Sequence, residues 1–232
     1  MSTIWSAFAI TAPGIAPVTA AELAALGIPH DPPTPDGVAF PADFRTIALA
    51  NLWLRTASRV IVRLGEFKAQ GFTDLEKGAA KASVGQGAPS RPADCGRGHL
   101  PSHASIRSDA VAERIVKQVG RHFGVDAPVV RLTDSDDDDA PTDEAQRILV
   151  RIVHDVCTIS ADTSGALLHR RGYRQAIAKA PLRETVAAAC LLACDYDGTS
   201  PFLDPMCGSG PFRSRRRWWH ASRRRGVRGP SH

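Results

Sequence analysis

The segment Phe202-Leu203-Asp204-Pro205-Met206-Cys207-Gly208-Ser209-Gly210 constrains the fold more than any other, because only 22 residues follow it. A short apolar run, an acid at its end and a glycine-rich turn read as a strand leading into a loop. Gly208 and Gly210 can take backbone angles closed to other residues, so a ligand can approach the main chain there. A loop of this kind lies between a strand and a helix, with further strands beside it. Here Pro211 and an arginine-rich stretch stand where that helix belongs. The reading expects a nucleotide-like cofactor and an α/β domain that is only begun.

Charge needs the same positional treatment. The net charge is +5, yet residues 213–232 hold eight arginines and no acid. Without them the chain carries 21 basic and 24 acidic residues, a net of −3. The body is therefore no electrostatic footprint for nucleic acid by itself. No basic, apolar leader opens the chain and no run of 18 apolar residues occurs, so neither a signal peptide nor a membrane span is expected. The five cysteines include no Cys-x-x-Cys pair, which fits free thiols in a reducing cytoplasm.

Strand-like and helix-like segments alternate upstream. Ile4 to Ile10 reads as a strand, Thr11-Ala12-Pro13-Gly14 as a turn, and Pro17 to Leu26 as an alanine-rich helix stopped by Gly27. Val38 to Phe40 is a short strand, and Asp43 caps a helix running to about Arg55. Val60 to Phe67 is strand-like, and a helix follows over Thr73 to Ala82. Residues 83–107 show no periodic apolar pattern, an uncommon stretch inside a compact domain. Ser108 then caps a helix with Val111, Ile115, Val119 and Phe123 on one face. Asp134 to Glu144 is an acidic loop. Ile148 to Val153 and the alternating Cys157, Ile159 and Ala161 form two strands joined at His154-Asp155. Pro181 starts a helix whose stripe is Leu182, Val186, Ala189, Cys190 and Ala193; Gly198 ends that segment and a Pro201–Asp204 strand leads into the loop. The pattern is α+β, strand-helix-strand-helix-strand twice over, with small antiparallel sheets.

The string Asp204-Pro205-Met206-Cys207-Gly208-Ser209-Gly210 after an apolar strand resembles motif I of class I S-adenosylmethionine-dependent methyltransferases. Three upstream segments extend the likeness: Val156 to Gly165, Leu168-His169-Arg170-Arg171-Gly172-Tyr173-Arg174, and Ala180-Pro181-Leu182-Arg183-Glu184-Thr185. With them the chain resembles the THUMP-domain RNA methyltransferases, which methylate guanine N2 in ribosomal RNA or act on transfer RNA. The Ala9–Leu26 and Asn51–Arg59 stretches and Ser108-Asp109-Ala110-Val111 are similar to the same family, in the same order.

The resemblance implies a ferredoxin-like part over 1–70, a THUMP RNA-binding domain over 71–165 and the start of a Rossmann-like methyltransferase domain over 175–210. An arginine-rich, disordered tail over 211–232 would follow. It implies methyl transfer from S-adenosylmethionine to RNA, at guanine N2. Asp204, Pro205, Cys207, Gly208 and Gly210 would contact the cofactor, with Pro181, Leu182 and Glu184 at the preceding helix. His169, Arg170, Arg171 and Arg174 form the best basic cluster of the body, either an RNA-facing group or a solvated face.

Two departures from the family pattern stand out. The Asn/Asp-Pro-Pro-Tyr/Phe loop that holds the target base is missing; Asp31-Pro32-Pro33 lies in the N-terminal part and Thr34 follows it. No catalytic residue is therefore assigned. Residues 83–107 and the tail also share a composition of Arg, Pro, Gly, Ser and His that wrong-frame translation of a GC-rich gene would produce. The expectations are a catalytically inactive truncated chain, an RNA-binding module without catalysis, or a frameshifted fragment.

Other residues carry plainer readings. Cys190 and Cys194 are spaced as a metal pair but lack histidine partners, so they read as small buried residues and no metal is expected. Cys207 fills space beside the cofactor, and nothing near it in sequence would activate a thiolate. Asp134 to Asp139 lacks the ligand spacing of a calcium loop. Trp218 and Trp219 among the tail arginines could stack on single-stranded RNA or meet a membrane surface; without amphipathic period the tail reads as unselected.

Overall fold

The structure is a computed structural model that describes residues 4–69, 71–82, 102–105, 146–170, 182–208 and 210–212. Its elements are β1 (Trp5–Thr11), α1 (Ala16–Ala25), β2 (Gly37–Ala42), α2 (Phe44–Trp53), β3 (Ala57–Lys68), α3 (Phe72–Ala82), β4 (Ser102–Ser105), β5 (Gln146–Val153), β6 (Val156–Asp162) and α4 (Glu184–Ala193). The α+β class expected from the pattern is what forms. The strands follow one hydrogen-bonded order, β2-β1-β3-β6-β5-β4, rather than separate small sheets. The chain divides into two compact units, one of residues 1–6 with 61–166, the other of 7–60 with 167–232.

In the unit of 7–60 with 167–232, local sequence explains most of each element. Pro17 sits in the first turn of α1, and Gly27, at φ 71°, closes its C-terminus. Ile28 N–H there donates to Leu23 C=O (3.0 Å) and Gly27 N–H to Ala24 C=O (2.9 Å), the paired bonds of a left-handed helix stop. Asp43 caps α2 as expected: its carboxylate accepts from the Thr46 amide (2.8 Å) and hydroxyl (2.7 Å). Those two bonds, the amide first, hold the Asp43 carboxyl below the usual carboxylate range. Leu23, Val38, Phe40, Leu54 and Val60 are fully buried. α1 packs on β2 and on α4.

A polar group lies inside this apolar setting. Glu22 is 5% exposed. Its carboxylate accepts from Arg55 Nε (2.6 Å), the Arg55 amide (3.1 Å), the Thr56 amide (3.0 Å) and the Thr56 hydroxyl (2.6 Å). The Thr56 and Thr19 hydroxyls, both fully buried, lie 2.6 Å apart. A carboxylate can be buried when its lone pairs are met in this way. The network fastens α1 to the turn between α2 and β3.

The unit of 61–166 is closed by hydrocarbon. Leu75 and Ala79 of α3 pack with Ala69, Ile148, Cys157 and Ile159, and with Leu64, Phe67, Val150 and Ala161 at the margin. A Cβ on Gly78 would run into the Phe67 ring, so this glycine sets how closely α3 approaches. β6 pairs antiparallel with β3 from Ile61↔Asp162 to Lys68↔Val156, with an irregularity between Arg63 and Gly65. β5 and β6 form the expected hairpin; His154 (φ 47°) and Asp155 (φ 59°) are both left-handed, as a two-residue turn requires.

Four expectations need correction. Residues 83–107 contain a strand, β4, paired parallel with β5 from Ser102↔Gln146 to Ser105↔Leu149. Its Ser-His-Ala-Ser sequence has no apolar alternation, and as the outermost strand it needs none. Residues 201–204 are not a strand, because among the described residues no backbone lies alongside to pair with them. The buried face of α4 is Glu184, Thr185, Ala187, Ala188, Ala189 and Leu191, not the stripe through Leu182 and Cys190. Cys190 and Cys194 are accordingly exposed rather than buried. Alanines let α4 sit close to the alanine-rich α1, and Leu182 and Cys190 stay exposed. The expected helix after Ser108, the acidic loop and the arginine-rich tail lie outside the described residues.

Candidate functional site

The route to the loop begins at the end of α4. Asp195, at φ 48°, takes the left-handed position, so the helix stops before Gly198. Asp195 N–H donates to Leu192 C=O and Tyr196 N–H to Leu191 C=O, each at 3.0 Å. Asp197 then organises the next turn. Its carboxylate accepts from the Ser200 amide (2.9 Å), the Thr199 hydroxyl and the Thr199 amide (2.9 Å). These bonds, led by the Ser200 amide, hold the Asp197 carboxyl far below the usual carboxylate range. The Tyr196 hydroxyl donates to Ser200 C=O (2.9 Å).

The loop itself is a surface feature. Asp204 is half-buried, and its carboxylate accepts from the Met206 amide (3.1 Å). Gly208 (φ 48°) and Gly210 (φ 73°) both occupy the left-handed region that the glycines were expected to supply. Gly210 N–H donates to Cys207 C=O (2.7 Å). Pro205, Cys207 and Gly208 are exposed, and Leu203 and Met206 are 87% and 88% exposed. A Cβ on Gly208 would meet nothing nearer than Met206 C=O at 3.9 Å, so the space over the main chain is open. Such a turn leaves backbone accessible to a nucleotide-like group, which fits the cofactor expectation.

The remaining named residues fall around it unevenly. Leu182 is 40% exposed and Glu184 is buried in the first turn of α4. His169 is half-buried and Arg170 exposed, after Leu168 N–H donates to Ser58 C=O (2.9 Å). Pro181, Arg171 and Arg174 lie outside the described residues. Among the described residues no group of three or more His, Cys, Asp or Glu could hold a metal. Sequence reasoning missed the Asp197 turn and the aromatic contacts of Tyr196, Phe202 and Phe212; an Asp with Thr and Ser two and three residues on was the available signal.

With this geometry in place, comparison with known proteins is decisive. Residues 6–61 match the RlmL ferredoxin-like domain and residues 171–214 the RMKL-like methyltransferase domain. The ribosomal RNA large subunit methyltransferase K/L of Aliivibrio salmonicida is 34% identical over 212 residues, 87% of this chain. The chain is similar to a ribosomal RNA methyltransferase over most of its own length. The resemblance read from Asp204–Gly210 and its upstream segments therefore holds.

The chain spans 28% of the length of that relative. Among solved structures, an N6-adenine-specific DNA methylase named by prediction, from Listeria monocytogenes, is 30% identical with a TM-score of 0.67; the match covers 90% of this chain and 53% of that one. SMU.472, a methyltransferase candidate solved with SAH, is 28% identical with a TM-score of 0.68, covering 91% and 54%. The methyltransferase match begins before α4 and runs through Asp204–Gly210, so helix and loop fall within one matched segment. Among the described residues no helix is long and apolar enough to cross a membrane.

Proposed function

We propose that this chain carries the RNA-binding front and the cofactor loop of an S-adenosylmethionine-dependent RNA methyltransferase directed at guanine N2 in the cytoplasm. The observation that carries the reading is the Asp204–Gly210 turn. Two left-handed glycines and an open main chain lie at the end of a segment matching a methyltransferase domain. Bound there, S-adenosylmethionine would supply a methyl group on a sulfonium, open to displacement by a nucleophilic nitrogen. Gly208 and Gly210 give the main chain its approach, Asp204 sets the turn, and Pro205 and Cys207 flank it. Leu182 and Glu184, with Pro181, would line the side formed by the start of α4. His169, Arg170, Arg171 and Arg174 would meet RNA phosphates. An exocyclic amine is reached only when its base leaves the stack. No residue of the 232 is assigned to the transfer step.

Calorimetry with S-adenosylmethionine and S-adenosylhomocysteine tests the cofactor half of the reading. The expected result is a saturable heat that Gly208→Val abolishes, because a β-branched residue is strained at φ 48°. No heat from the unaltered chain would overturn it. Gel shifts with ribosomal and transfer RNA at moderate salt test the other half. A second reading is an RNA-binding module without catalysis. It predicts RNA shifts without cofactor heat; a chain showing neither has no function of this class.

A further inference from the structure

We propose that Tyr196, Phe202 and Phe212 form an aromatic brace that holds the Asp204–Gly210 loop in its working shape. The rings of Phe202 and Phe212 stand at the two feet of the loop, with centroids 6.0 Å apart and planes tilted by 40°. Tyr196 meets Phe202 edge-on at 5.6 Å and 64°. Tyr196 is also the residue whose amide closes α4, by donating to Leu191 C=O. A continuous path of contacts therefore runs from helix end to Tyr196, to Phe202, across the loop's feet to Phe212.

The need for such a brace follows from the loop's surroundings. Leu203, Pro205, Met206, Cys207 and Gly208 are all exposed. Among the described residues the loop's hydrogen bonds include only local pairs: Met206 N–H to the Asp204 carboxylate, Gly210 N–H to Cys207 C=O and Cys207 Sγ to Gly208 C=O. Two glycines at positive φ add conformational freedom that must be given up. The three rings are half-buried, whereas Leu203 and Pro205 to Gly208 between them are exposed. Bringing the feet together lowers the entropy cost of closing the turn, and offset or edge-on ring pairs supply the attraction. Nothing in the loop's glycine pattern specifies these residues; they lie outside Asp204–Gly210 on both sides. The brace itself stands on ring geometry, and its consequence for cofactor affinity rests on the functional reading above.

Amide hydrogen exchange at Gly210, read by NMR on the full chain without ligand, tests the brace. Phe212→Ala should speed that exchange by about threefold to tenfold, the worth of one aromatic pair. Phe212→Tyr, which keeps the ring, should restore the native rate. Exchange at Ile159, in the other unit, serves as the folding control. Unchanged Gly210 exchange in Phe212→Ala, with Ile159 still protected, would overturn the proposal. Phe202→Ala gives the same comparison from the other foot should Phe212→Ala fail to fold. Titration with S-adenosylmethionine is read separately: weaker binding in Phe212→Ala extends the brace to cofactor holding, whereas absence of binding in the unaltered chain overturns the cofactor reading and leaves Gly210 exchange to decide the brace.

Discussion

The two units close their helices by different means. In the unit of 7–60 with 167–232, α1 is held by a buried carboxylate that accepts four hydrogen bonds from Arg55 and Thr56. In the unit of 61–166, α3 is held by Leu75 and Ala79 against Ile148, Cys157 and Ile159. Hydrogen bonds are directional, so the first arrangement fixes both the position and the rotation of α1. Hydrocarbon contact is not, so the second tolerates small shifts of α3 and depends on filled volume. The directional lock belongs to the helix that packs against α4, and α4 leads toward the Asp204–Gly210 loop.

The largest test of this contrast is Glu22→Ala. It removes the acceptor of Arg55 Nε–H and of the Thr56 donors, and should cost about 3 kcal/mol in urea unfolding, at the low end for broken buried pairs because Arg55 keeps some water contact. Glu22→Gln should cost less, since one carbonyl oxygen still accepts. If Glu22→Ala were neutral, the lock would be decorative and the contrast would collapse.

Ile159→Ala in the other unit should cost about 2–4 kcal/mol, as cavities of this kind do. Replacement by Val should recover most of it, whereas no partial replacement should rescue Glu22→Ala as fully. Equal recovery in the two units would break the distinction between shape and volume.

Cys157 sharpens the comparison through pH. Burial pushes its thiol from 9.0 up to about 11. The unfolded chain therefore releases that proton first as pH rises. Stability from the buried neutral thiol is complete below 9.0 and declines as pH climbs toward 11. Cys157→Ala should remove that part of the alkaline slope, and an unchanged slope would count against it. The smallest effect is expected at Asp43, a half-buried cap whose depressed carboxyl stabilises α2 above the ordinary carboxylate range and loses that effect as pH falls. Asp43→Ala should lower the melting temperature slightly at neutral pH and not at all in strong acid.

Legibility in the sequence followed locality. The stop at Gly27, the cap at Asp43, the turn at His154-Asp155 and the glycines of the loop were readable, because each is decided within a few residues. The Glu22 network was not, since Glu22 and Thr56 are separated by a whole strand and helix and a Glu in an alanine-rich helix looks solvated. The inward face of α4 was misread for a related reason: an apolar stripe predicts burial only when the neighbour leaves room, and against α1 small residues pack closest. β4 escaped notice because an outermost strand is defined by its partner's backbone, not by its own side chains. In the candidate site, the motif named the loop but not Tyr196, Phe202 or Phe212, whose ring contacts depend on how the chain turns after α4.

The segment that forms most of one unit, 61–166, is inserted in sequence between the two halves of the other. The ribosome therefore delivers residues 7–60 long before α4, the helix that packs on α1. During synthesis α1 can pack on β2 early but has to wait for α4 while more than a hundred residues emerge. Vectorial synthesis thus makes α4 a late piece of its own unit, and the Asp204–Gly210 loop follows it out of the ribosome.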